Sequence, residues 1–66
     1  MIQFAVTLKE GEWTVFRDGE VLARGMSRSR AVEQAHDLAD EAREAGRAVE
    51  LLLQDYVGEL RSWRTE

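Results

Sequence analysis

The 66-residue chain holds one histidine, His36, and no cysteine. Glu33 and Asp40 stand three residues before it and four after it. On a helix, that i, i+3, i+7 spacing gathers two carboxylates and an imidazole on one face, a donor set that suits a divalent metal. The same face also carries Asp37, Arg43 and Glu44, the charge mixture of an ordinary solvated helix. His36 therefore reads as a boundary histidine. No metal and no other cofactor is expected.

Nucleophilic chemistry has less to work with. Ser27, Ser29 and Ser62 are present, but no Gly-x-Ser-x-Gly elbow and no thiol accompany the one histidine. Ser27 and Ser29 have a sufficient role at the start of a helix. The carboxylates of Asp37, Asp40 and Glu41 lie on an exposed stretch, where nothing buries one of them to raise its pKa. The five glycines are scattered singly, so no phosphate-cradling loop forms. The chain reads as a non-enzyme with no small-molecule substrate.

"ARGMSRSRA" is the one concentration of basic residues. Arg24, Arg28 and Arg30 surround a helix N-terminus, and with its backbone N–H groups they offer a candidate anion-binding cluster. Nucleic acid as the partner is disfavoured by the net charge of −4 and by the lack of an exposed aromatic beside the arginines.

A chain this short makes one domain, spanning residues 1–66, and buries only about 60% of its unfolded surface. Chains of this size often lean on disulfides, a metal or a partner subunit. With no cysteine and one histidine, self-association is the option left. Hydrophobic content of 44% beside 33% charge fits a globular domain. The opening "MIQFAVTLKEGEW" shows no signal-peptide pattern, and the longest apolar run, Leu51 to Leu53, is far too short to span a bilayer. A cytoplasmic location with no membrane contact is the expectation.

The elements follow from hydrophobic periodicity. Ile2, Phe4, Val6 and Leu8 alternate with Gln3, Ala5 and Thr7, a half-buried strand. "KEGE" is a polar hairpin loop, and Trp13 to Arg17 form a second strand. Asp18-Gly19 then announces a two-residue type I′ turn, since Gly takes positive φ freely and Asp tolerates it. That turn sets Arg17 opposite Glu20, Phe16 opposite Val21, Val15 opposite Leu22 and Trp13 opposite Arg24. A four-residue "KEGE" loop sets Leu8 opposite Trp13 and Val6 opposite Val15. One sheet face then collects Phe4, Val6, Leu8, Trp13, Val15 and Leu22.

"SRSRAVEQAHDLADEAREAG" is the helix, with Ser27 as N-cap, Ser29 as its competitor, and Gly46 as the left-handed residue that ends it. Its apolar arc is mostly alanine, which allows a close approach to the sheet. "AVELLLQ" is a further strand, and "DYVG" at 55–58 a turn into the last one. A type I turn with Gly58 in the bulge position places Leu51 near Trp63. A plain four-residue loop shifts the register by one and turns Trp63 to the other face.

The expected fold is α+β: a two-layer β-β-β-α-β-β sandwich with one helix on a four- to five-stranded, mainly antiparallel sheet. One helix covers one face. The other collects Ala5, Thr7, Thr14, Phe16, Val21, Ala23 and Leu52. Phe16, Val21 and Leu52 form a candidate interface, because an open antiparallel face is usually more polar than this. A homodimer, face to face or through a sheet edge, or a complex with another protein is the expected use.

The stretch from Trp13 to Leu60 resembles a family of short bacterial proteins classed as a domain of unknown function. The likeness rests on a Trp-x-Val strand (Trp13, Val15), a Ser-capped helix of spaced alanines (Ser27, Ala31, Ala35, Leu38, Ala39, Gly46) and Asp-x-x-Gly before the last strand (Asp55, Gly58). Members usually carry Lys after the cap and Glu at the third position. Here Arg28 and Arg30 stand there, so the capping box is missing. The resemblance implies the same α+β fold and brings no activity with it.

Overall fold

Among the described residues, five strands and one helix follow each other as β1 (Ile2–Lys9), β2 (Glu12–Arg17), β3 (Glu20–Met26), α1 (Arg28–Glu44), β4 (Val49–Gln54) and β5 (Leu60–Trp63). This is a computed structural model; it describes residues 1–54 in full and the backbone of residues 60–63. The sheet order is β3-β2-β1-β4-β5. Only β1 and β4 are parallel; β1–β2, β2–β3 and β4–β5 are antiparallel. The expected α+β sandwich is the fold found. The parallel pair arises because α1 carries the chain from the β3 edge across β2 and β1 to β4, and a long crossover permits parallel pairing.

Both hairpin turns of the first three strands are two residues long. Asp18 and Gly19 have φ of 48° and 85°, as a type I′ turn requires. Glu10 and Gly11 have φ of 52° and 78°, so the "KEGE" stretch is tighter than a four-residue loop, and Lys9 pairs with Glu12. The register is nonetheless the one expected, with Leu8 opposite Trp13 and Val6 opposite Val15. Asp18 also ties its turn to β1: its N–H donates to the Gln3 carbonyl at 2.8 Å, and its Oδ1 accepts from the Gln3 N–H at 2.9 Å.

The β2–β3 ladder departs from the expected register. Arg17 faces Glu20 and Phe16 faces Val21, but Val15 pairs with Ala23 and Trp13 with Met26. Leu22 and Ala23 thus share one opposing residue, and so do Arg24 and Gly25, opposite Thr14. Two bulges account for this, each adding a residue to the edge strand. Gly25, at φ 80°, supplies a backbone conformation that ordinary residues avoid. The expected pairs Val15–Leu22 and Trp13–Arg24 do not form, and Ala23 leaves the open-face set to stand opposite core-facing Val15.

Between helix and sheet lie Ile2, Phe4, Val6, Val15, Leu51 and Leu53 from the strands, and Ala31, Ala35 and Ala39 from α1. The three alanines repeat every fourth residue, which keeps one stripe against the sheet. Leu8 and Leu22, both expected in this core, are 47% and 45% exposed. The cause is reach. The helix begins at Arg28, over Trp13; at the other end Leu38 and the small Ala42 and Ala45 stand around an open cleft that Leu22 lines.

Ser27 caps the helix as expected, its side chain accepting from the Arg30 N–H at 3.3 Å. At the far end the Gly46 N–H donates to the Arg43 carbonyl at 2.9 Å and the Arg47 N–H to the Ala42 carbonyl at 3.0 Å. These two bonds are the Schellman pattern, and Gly46 holds its left-handed position at φ 81°. Nothing lies within 4 Å of where a Cβ would sit on Gly46, so Gly46→Ala tests backbone conformation alone. A loss of about 1 kcal/mol in urea unfolding is expected.

β4 and β5 pair Leu51 with Trp63 and Gln54 with Leu60. That is the register of the bulged turn; the turn residues 55–58 lie outside the described residues.

Candidate functional site: the open sheet face

Alternation along the strands puts Gln3, Ala5, Thr7 and Lys9 of β1 on the face away from α1. Cross-strand pairing then builds a row perpendicular to the strands. Val21 faces Phe16, Phe16 faces Ala5, and Ala5 faces Leu52. The three candidate interface residues therefore stand in one line across β3, β2, β1 and β4, with the small Ala5 between Phe16 and Leu52. Val21 is 51% exposed, while Phe16 and Leu52 are half-buried by their neighbours on the sheet.

Polar groups flank the row. On one side, the Gln3 Nε2 donates to Glu50 Oε1 at 2.9 Å. On the other, Thr14 faces Thr7 and is only 2% exposed although no helix covers it. Its hydroxyl donates to the Glu12 carbonyl at 3.4 Å, which satisfies a group that burial would otherwise penalise. Lys9, Glu12 and Arg24 stand around it and line a small hollow of about 120 Å³. Thr14 was expected on this face but not to be buried there. The bulge at Arg24–Gly25, which sequence alone does not announce, is what crowds it.

The three arginines expected to hold an anion stand in different surroundings. Arg28 lies 5.7 Å from the centroid of the Trp13 ring, over its face, and its Nε donates to the Gln54 carbonyl at 3.4 Å. A cation over an aromatic face is an attractive pair in itself, and it docks the start of α1 onto the sheet. Arg24 is exposed on the open face beside Lys9, Glu10 and Glu12. Arg30 points along the outer side of α1, beside Glu33 and Asp37. Two of the three thus have carboxylates for neighbours, and the third is engaged.

His36 is half-buried on α1. Asp40, the carboxylate one turn on, forms an ion pair with Arg43 at 3.1 Å. Among the described residues no three of His, Cys, Asp and Glu converge at metal-holding distance. No described helix is long and apolar enough to cross a membrane.

Compared with protein-family profiles, with curated proteins and with solved structures, the chain has no match.

Proposed function

We propose that this chain is a small non-enzymatic, cytoplasmic domain that self-associates face to face through its open sheet surface. The observation that carries this reading is the in-register row Val21–Phe16–Ala5–Leu52 on the face α1 leaves uncovered. A two-fold axis running along the strands between β1 and β2 sets Phe16 of one copy over Ala5 of the other. The same axis sets Val21 over Leu52. Large meets small at the centre and aliphatic meets aliphatic at the flanks, which is the self-complementarity a two-fold interface requires.

Face-to-face packing is favoured over pairing at the β3 edge. The β3 edge is broken by two bulges and carries Arg24 and Gly25, features that blunt an edge against another strand. The alternative, an anion- or nucleic-acid-binding module centred on Arg24, Arg28 and Arg30, draws less support from three side chains that do not converge. The family resemblance adds no activity to either.

Sedimentation equilibrium over a wide concentration range, at low and moderate salt, tests the proposal. A mass that rises towards two chains with concentration is expected. Phe16→Glu, which sets a carboxylate at the centre of the row, is expected to weaken association by at least about tenfold. A strict monomer at every concentration overturns the reading. Salt-sensitive RNA binding, lost when the three arginines become glutamate, would establish the alternative.

A further inference from the structure

A second surface is independent of the open face. Between the last turns of α1 and the β1–β3 end of the sheet lies an open cleft of about 350 Å³, the size of a small-ligand site. Its floor and walls are apolar: Ile2 and Phe4 from β1, Leu22 from β3 and Leu38 from α1. It exists for two reasons. The helix narrows to Ala42 and Ala45 where it passes over the sheet, and the β3 bulge adds Leu22 opposite Val15. Bulges often re-aim a side chain in this way. Leu22 remains 45% exposed there.

Charge marks the mouth. Arg17, at the end of β2, and Arg47, just after α1, both line the cleft and are both exposed. Among the described residues neither guanidinium is in an ion pair or a side-chain hydrogen bond. One carboxylate, Glu41, stands on the wall. Within the lining two cations stand against one anion; Glu20, the cross-strand neighbour of Arg17, lies outside the lining. We propose that the cleft between Arg17 and Arg47 binds a small amphipathic monocarboxylate, its alkyl chain on Leu22, Leu38 and Phe4 and its head group on the two guanidiniums. Planar guanidinium forks match a carboxylate. Glu41 repels a second negative charge, which selects one carboxylate over a dianion.

Sodium octanoate, kept below its micellar range, is the probe, titrated into the 15N-labelled protein and followed by amide chemical shifts. Shifts confined to Leu22, Leu38, Ala42 and Arg47, with a dissociation constant of about 1 mM, are expected for a ligand of this size. The double variant Arg17→Gln/Arg47→Gln is expected to weaken binding about tenfold, the scale of a lost charge-assisted contact. Leu22→Glu, at an exposed position that spares the core, is expected to abolish it with the remaining spectrum intact. Octylamine, the cationic counterpart, is expected to bind at least about tenfold more weakly. Absence of shifts at the cleft, equal affinity for octylamine, or shifts on the Val21–Phe16–Leu52 face would each overturn the assignment. The last two outcomes leave the self-association reading to the sedimentation experiment.

Discussion

Leu51→Ala is expected to bring this domain to the edge of unfolding at room temperature. Leu51 is among the largest fully buried side chains, at 0% exposure. It sits on β4 opposite Phe4 of β1 and Trp63 of β5, and it shares the core with Ala35 and Ala39 of the helix above. Removing its outer carbons costs about 2–5 kcal/mol, because a close-packed site collapses only partly around the cavity. A chain of this length has roughly 3–10 kcal/mol of total stability at about 0.05–0.15 kcal/mol per residue. The loss is therefore of the same order as the whole. Urea unfolding followed by far-UV circular dichroism reads it directly. An unfolding free energy lowered by less than about 1 kcal/mol would mean that Leu51 is not the centre of the core.

Ala35→Leu is the opposite test and the second largest effect expected. Ala31, Ala35 and Ala39 are all fully buried, so the helix backbone rests close on the strands with only methyl groups between. Isobutyl in place of methyl at the middle position has no cavity to fill. It drives the helix off the sheet or forces strained rotamers, at about 1–3 kcal/mol or more. For a domain of this size, each 1 kcal/mol lowers the melting temperature by about 4–8 °C. Glu33→Leu, on the exposed side of the same helix, is the control and leaves the melting temperature nearly unchanged. Equal melting of the Ala35→Leu variant and the parent would show that the helix does not lie close to the sheet.

Local sequence grammar specifies much of this fold. Asp18-Gly19 specifies its turn because few residue pairs accept positive φ twice, and the turn then dictates Arg17–Glu20 and Phe16–Val21. Ser27 and Gly46 mark the helix ends by the same logic of backbone groups that need a partner. The alternation in β1 separated the core row from the open row, and the open row brought Phe16, Val21 and Leu52 into line. The two bulges in β3 carry no such signature. Gly25 is compatible with one, but a glycine in a strand is equally compatible with a plain ladder. The register error that follows moved Ala23 and Leu22 relative to their expected neighbours.

The candidate sites divide along the same line. Arg24, Arg28 and Arg30 look like one cluster because they are close in sequence. Arg28 turns onto Trp13, Arg24 onto the open face and Arg30 onto the outer helix. Arg17 and Arg47 look unrelated, thirty residues apart in number, and stand at the mouth of one cleft. Sequence by itself determined the elements, their caps, the Asp18-Gly19 turn and the two-faced pattern of the sheet, because each depends on a few consecutive residues and their dihedral preferences. The parallel β1–β4 pairing, the bulged register of β3, the exposure of Leu8 and Leu22 and the meeting of Arg17 with Arg47 were decided only by tertiary structure. Each depends on where a helix of fixed length crosses a sheet of fixed order, a property of the packed whole that no local window contains.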